Sequence, residues 1–296
     1  IMDKWYNKSG NEGDVVISTR IRFARNLKEY PFPCRLNDET KCKVTALVKD
    51  AILNGNSALA SRFEYIQMPE LTQEEAVSLV ERHLVSPEFI SDRQGRGLLL
   101  LDDESVSVMI NEEDHIRIQV MHQGLDLTAA YDIADKIDTL LDERLNFAFN
   151  DKLGYLTQCP TNLGTGMRAS LMLHLPGLQQ SKAMNRIAST LSKLGLVLRA
   201  VRLDHGAVYG VDVRSIQAFD CLIDNGIDVL YGLCNALSQI SAFVTVTQLQ
   251  RLKFTCRSPA GSGSARYGAI CQSYLSLYRR ISSGIQNLSS HNLLNL

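Results

Sequence analysis

The sequence predicts an α+β protein in which a mainly antiparallel sheet is flanked by helices. Three observations carry that expectation. Short β-favouring runs at 98–101, 105–110 and 115–121 follow one another at hairpin spacing, divided by acidic turns. Helical periodicity interrupts the strands without regular strand–helix alternation. The chain has 296 residues, 45% hydrophobic and 21% charged, which fits a globular core and excludes disordered, collagen-like and disulfide-scaffold chains.

The first β-favouring run is Val15-Val16-Ile17, so the basic cluster that follows it leaves a strand end rather than riding a helix. From Asn37 the apolar positions Val44, Leu47, Val48, Ala51 and Ile52 keep helical spacing up to Gly55. Thr72 with Glu75 makes a capping-box pattern, and Leu79, Val80, His83 and Leu84 share a face of the next helix, which turns His83 toward packed structure. In the third strand Ile116, Ile118 and Val120 alternate with Arg117 and Gln119, which therefore share the opposite face. A long helix is expected over 126–149, with Leu127, Ala130, Tyr131, Ala134, Ile137, Leu141 and Leu145 inward. Strand-like 154–158 leads through the loop 159–168 to a strand at 169–175, a helix at 181–194 stopped by Gly195, and a strand at 196–201. Beyond Val201 the pattern blurs, and 257–265 (RSPAGSGSA) reads as a linker.

No window approaches the apolar length of a membrane span, and the first fourteen residues are too polar for a signal peptide, so the expected location is the cytoplasm. The seven cysteines lack zinc-site spacing and are expected to be free thiols. Charge is divided unevenly: residues 1–143 hold 16 basic and 26 acidic side chains, residues 144–296 hold 15 and 6, and Glu143 is the last glutamate. The basic half lacks an aromatic-basic stripe, which argues against a nucleic-acid partner.

Three constellations can carry chemistry. In STRIRFAR, residues 18–25, Arg20 and Arg22 face one side of an extended segment, as a phosphate clamp requires; a solvated basic strand edge is the plainer alternative. The turn Asn111-Glu112-Glu113-Asp114-His115 concentrates carboxylates that can order Mg²⁺ or deprotonate a nucleophile, although an exposed acidic hairpin turn needs no function. In CPTNLGTGMRAS, residues 159–170, Pro160, Gly164 and Gly166 shape a tight loop whose N–H groups can approach an anion, with Arg168 entering the next strand; a connecting loop is the alternative. The P-loop and dinucleotide glycine patterns are absent.

Taken in order and with these separations, STRIRFARNL, NEEDHIRIQ and CPTNLGTGMRASLMLHLP resemble the phosphagen (guanidino) kinase family, and within it the bacterial protein-arginine kinases. The resemblance covers about 14–201, is lost over about 202–264 and returns faintly at 265–296. It implies a guanidino-kinase catalytic domain over 1–245 and a shortened helical C-terminal region over 246–296. Only 17 residues precede the first motif, which suggests a site open to a guanidinium on a protein surface. The implied activity is ATP-dependent phosphorylation of arginine side chains in proteins, with ATP and Mg²⁺ as cofactors. The implied partners are protein substrates with exposed arginine, an activator protein and the Clp protease machinery.

The resemblance also implies residue roles. Ser18, Thr19, Arg20, Ile21, Arg22, His83, Arg117, Arg168, Ala169, Ser170, Leu171, Met172 and Arg199 are placed at the nucleotide, with Arg20, Arg22, Arg117 and Arg168 on its phosphates. Glu113, Arg168 and Cys159 are the implied catalytic set, and Glu112 and Asp114 are implied to order Mg²⁺ through water. After Val201 the family's R-x-x-Y-G-E-G stretch gives way to RLDHGAVYGVDV, with no glutamate to replace the missing one. That departure keeps a second reading open, a catalytically impaired pseudokinase or nucleotide-binding module.

Overall fold

A computed structural model describes residues 3–175, 196–203 and 206–213, with two short helical pieces at 184–185 and 188–189. The chain divides into two compact units, residues 1–174 with 186–230 and residues 175–185 with 231–296, and the described residues lie almost entirely in the first. The linker at 257–265, the boundary at 245/246 and most of the helix at 181–194 fall outside the described residues.

In chain order the elements are β1 (Val16–Arg25), α1 (Asp38–Leu53), β2 (Phe63–Gln67), α2 (Gln73–Glu81), α3 (Pro87–Ser91), β3 (Gly97–Leu101), β4 (Val106–Ile110), β5 (Ile116–Gln123), α4 (Leu127–Asp142), β6 (Phe149–Asn150), β7 (Gly154–Tyr155), β8 (Met167–His174), β9 (Leu196–Leu203) and β10 (Gly206–Val213). Eight strands form one sheet in the order β2-β3-β4-β5-β1-β8-β10-β9, with every neighbouring pair antiparallel. β6 and β7 make a separate small hairpin. The α+β expectation therefore holds, and β10 extends the sheet into the stretch where the sequence pattern blurs.

Local chemistry fixes where the helices start. Asn37 accepts from Thr40 N at 2.9 Å at the head of α1. The Thr72–Glu75 box closes in both directions, at 2.8 and 3.2 Å, at the head of α2. Asp126 accepts from Ala129 N at 2.9 Å at the head of α4.

The two faces of β1 do different work because successive side chains alternate. Ile21 and Phe23 point toward α4, where Phe23 meets Tyr131 edge to face at 5.9 Å, and α1 packs beside α4 against β2 and β4. On the other face, α2 and α3 cover β3 and β4 through Met68, Leu79, Leu84, Val85, Phe89, Leu98, Leu100 and Met109. Each large side chain fully buried there, such as Phe89, contributes roughly 1.5–3 kcal/mol.

Two expectations need correction. The long helix stops at Asp142 rather than near 149, because Phe147 leaves the helix to bridge Leu27 and Ala148 N donates to Asn26 O at 2.7 Å. His83 does not point into the core: α2 ends at Glu81, His83 turns left-handed at φ 59°, and its side chain is exposed.

His115, fully buried, has its ring fixed at both nitrogens. Leu27 N donates to Nδ1 and Nε2 lies 3.0 Å from Pro31 O, which sets the neutral tautomer with the proton on Nε2. Burial pushes its pKa down to about 4, against an ordinary value near 6.5. The unfolded chain thus binds the proton more readily, so stability present above about pH 6.5 is lost as the pH falls toward 4, by about 3 kcal/mol in full. Thermal unfolding across that window should show this slope, and His115→Gln should flatten it; parallel curves for the two proteins would refute the assignment.

Candidate active site

Register brings three of the sequence motifs onto one patch of the sheet. β1 lies between β5 and β8, with Arg22 directly opposite Arg168 on one side and Gln119 on the other. Arg20 pairs with Ser170 and Met121, and its Nε donates to Ser170 Oγ at 3.0 Å. Arg117 stands opposite Ala24, one step along the same face. Ser18 and Met172 continue this face. Arg20, Arg22, Arg117 and Arg168 thus form a contiguous guanidinium surface on three adjacent strands, with Arg22 the most enclosed at 9% exposure. Backbone pairing also sets Arg199 of β9 opposite Gly210 of β10, and Gly210 opposite Met172.

Period two removes four of the expected residues from this patch. Thr19, Ile21, Ala169 and Leu171 alternate to the α4 side and are buried. Thr19 Oγ1 donates to Gly124 O at 2.6 Å and accepts from Asp126 N at 3.1 Å, which ties β1 to the head of α4. Their side chains serve the interior, and on this face these four residues present only backbone.

Arg25, the third arginine of the first motif, also belongs to the opposite face. Its guanidinium grips Asp138 of α4 with contacts of 2.7 to 3.1 Å, donates to Ala24 O and Thr165 O, and stacks 3.6 Å from the Tyr155 ring centre. Arg25 fastens the loop before β8 to α4. Gly166, at φ 63°, is needed there because a Cβ would stand 2.5 Å from Arg25 Nη1 and 2.7 Å from Ala24 O.

The acidic turn lies beside Arg117. Glu112 is buried and ionised: burial raises its pKa, but the Arg117 charge and hydrogen bonds from Ser86 and Arg117 overcome this and leave it below the usual range. Its two oxygens accept separately, one from Ser86 Oγ and the other from Arg117 Nη1. Asp114 is a latch, its Oδ1 accepting from Asn26 Nδ2 at 2.6 Å and Gln158 N at 2.8 Å, which draws the Cys159 loop toward the turn. Glu113 is the half-buried carboxylate of the three. Desolvation first, then the charges of Asp114 and Glu112, push its pKa up, while Arg117 and a hydrogen bond with Cys159 act in the other direction. The Cys159 thiol is also 3.0 Å from Thr161 Oγ1.

His83 flanks the patch. Although the residue is open to solvent on one side, partial desolvation and then the Arg20 charge hold its imidazole below the ordinary value. Gln119 and Ser107 hold its turn on the sheet: Gln119 Nε2 donates to His83 O at 2.8 Å, and Ser107 Oγ to Leu84 O at 2.8 Å. Ser86, Gln119 and Asn26 are functional supports that the candidate set lacks. Gln119 was legible as a face-mate of Arg117, whereas the partners of Ser86 and Asn26 lie 26 and 88 residues away.

A fourfold arginine surface with a carboxylate turn at its edge has the chemistry to bind polyanionic phosphate next to a proton acceptor. The chain matches the family model for the ATP:guanido phosphotransferase, C-terminal catalytic domain, over residues 43–241. It is 44% identical over 239 residues to a protein-arginine kinase of Halothermothrix orenii, covering 81% of this chain and 67% of that one. It is 46% identical over 199 residues to a protein-arginine kinase of Desulforamulus reducens, covering 67% and 56%. Among solved structures, the substrate-free duplicated taurocyamine kinase of Schistosoma mansoni superposes with a TM-score of 0.60 at 30% identity, covering 68% of this chain and 30% of that chain. Lombricine kinase shares the fold, with a TM-score of 0.60 at 23% identity over 80% and 73% of the two chains.

The chain belongs to the ATP:guanido phosphotransferase family, the phosphagen kinases. It spans 67% and 56% of the length of the two curated relatives named above. The family match reaches residue 241, past the point after Val201 where motif resemblance fades.

Proposed function

We propose that this chain transfers the γ-phosphoryl group of ATP to a guanidinium nitrogen of arginine side chains in proteins. The observation that carries the reading is the register of β1, β5 and β8, which sets Arg20, Arg22, Arg117 and Arg168 on one surface beside Glu113. Phosphoryl transfer asks a protein chiefly for alignment and charge neutralisation, and the guanidinium surface supplies both to a triphosphate. A guanidinium is protonated near neutrality and a poor nucleophile. Glu113 aligns it and accepts a proton as the N–P bond forms and the bond from the γ-phosphorus to the ADP oxygen breaks. The raised pKa of Glu113 brings it nearer the working pH, which suits a proton acceptor. Cys159 completes the guanidinium side of the site through its contact with Glu113.

Mg²⁺ fits as an ion carried by the phosphates and by water rather than by a protein cage. Among the described residues no group of three or more His, Cys, Asp or Glu is arranged to hold a metal, and both Glu112 oxygens already accept hydrogen bonds. Glu112 and Asp114 are both buried and engaged by protein donors, so the expected part for them in the ion's water shell gives way to holding Arg117 and the Cys159 loop in place, and the ion would neutralise charge on the β- and γ-phosphates when bound.

Protein substrates are supported by the relatives' name, protein-arginine kinase. Among the described residues no helix is long and apolar enough to cross a membrane; a cytoplasmic site of action rests on the resemblance. An activator protein and the Clp protease machinery rest on the resemblance alone. The extension of the family match to residue 241 favours an active kinase over a pseudokinase. The test is transfer of label from γ-labelled ATP to an arginine-rich protein in the presence of Mg²⁺. Acid-labile phosphate on arginine is expected; nucleotide binding without any transfer would select the pseudokinase instead.

A further inference from the structure

We infer that Ser86 is a positioning residue for the phosphate site, acting through Glu112 to fix the guanidinium of Arg117. This inference rests on the kinase reading and names a residue that the three sequence motifs do not contain.

Ser86 stands at the N-cap of α3, immediately before Pro87, where its Oγ accepts from Phe89 N at 3.2 Å. A serine hydroxyl has one proton, and with the cap occupying Oγ as an acceptor that proton goes to Glu112 Oε1. The other Glu112 oxygen accepts from Arg117 Nη1. Both carboxylate oxygens are thus assigned, in a side chain only 5% exposed, so the plane of the carboxylate and the direction in which it holds Arg117 are set together.

The scaffold behind this chain of contacts is itself braced. Arg96 Nε donates to Asn111 O at 2.9 Å, at the base of the acidic turn, and its Nη1 donates to Glu88 O and Phe89 O of α3 at 2.7 and 2.9 Å. Phe89 is fully buried in the cluster between α3 and the sheet. The turn and α3 are therefore joined at two points: Arg96 ties backbone to backbone, whereas the Ser86–Glu112 contact reaches a guanidinium of the phosphate surface. Without the hydroxyl, Glu112 keeps its charge partner but loses the contact that sets its direction, and Arg117 is no longer held ready for phosphate.

Ser86→Gly separates this role from capping, because glycine at an N-cap costs only a few tenths of a kcal/mol relative to serine. The dissociation constant for MgATP should rise about tenfold in Ser86→Gly, and Ser86→Thr, which keeps the hydroxyl, should restore the wild-type value. In steady-state assays the KM for ATP should rise by more than kcat falls. Wild-type affinity in Ser86→Gly, or weak binding in Ser86→Thr equal to that of Ser86→Gly, would overturn the inference while leaving the kinase reading in place. A wild-type chain that binds no MgATP would overturn both.

Discussion

Glu113→Gln is expected to slow arginine phosphorylation by about 10²- to 10⁴-fold while changing ATP affinity by no more than about twofold. The amide keeps the size of the side chain and removes its capacity to take a proton. The loss should therefore appear in kcat rather than in nucleotide binding, since the proposed phosphate contacts are Arg20, Arg22, Arg117 and Arg168 instead. Glu113 is also the member of the acidic turn whose role is least structural. Glu112 is held by Ser86 and Arg117, and Asp114 by Asn26 and the Gln158 backbone, so substituting either would disturb the loops as well as the chemistry. Because desolvation and two neighbouring carboxylates raise the pKa of Glu113, activity should fall on acidification as it takes up a proton, and that acid limb should vanish from the residual activity of the Gln variant. Equal labelling by the two proteins would remove Glu113 from the mechanism.

Asp138→Ala is expected to cost about 3–5 kcal/mol of stability, enough to threaten folding. The Arg25 and Asp138 side chains are 4% and 11% exposed, and removing the carboxylate leaves a guanidinium buried without its bidentate partner. Replacing both partners by apolar residues, Arg25→Met with Asp138→Leu, should recover most of the loss, because no orphaned charge then remains. Urea unfolding of the single and double variants is the measurement, and a single variant within about 1 kcal/mol of wild type would contradict the account. The double variant should still bind ATP less well, since Arg25 also holds Thr165 and the glycine turn that leads into Arg168.

The sequence revealed most where a short-range rule decides the outcome. Alternation placed Arg20 and Arg22 on one side, the Thr72–Glu75 spacing marked a helix start, and hairpin spacing marked β3, β4 and β5. It misled where distant contacts override local preference. His83 continues the apolar periodicity of α2, yet the chain turns left-handed there because Gln119, reached across the sheet, holds its carbonyl. The motif-based set took Thr19, Ile21, Ala169 and Leu171 along with their neighbours, and the same alternation turns the side chains of these four inward. Ser86-Pro87 was readable as a helix start, but its link to Glu112 was not, because nothing local announces a contact across 26 residues.

β1 writes two messages in one reading frame. Its even-numbered positions from 18 to 22 belong to the proposed ligand face and its odd-numbered positions from 19 to 25 anchor the interior. Losing a single codon inside this strand would swap the two scripts, sending guanidinium groups into oil and isoleucine to the ligand. Drift in this gene can therefore exchange letters within either message, but it cannot shift the spacing between them.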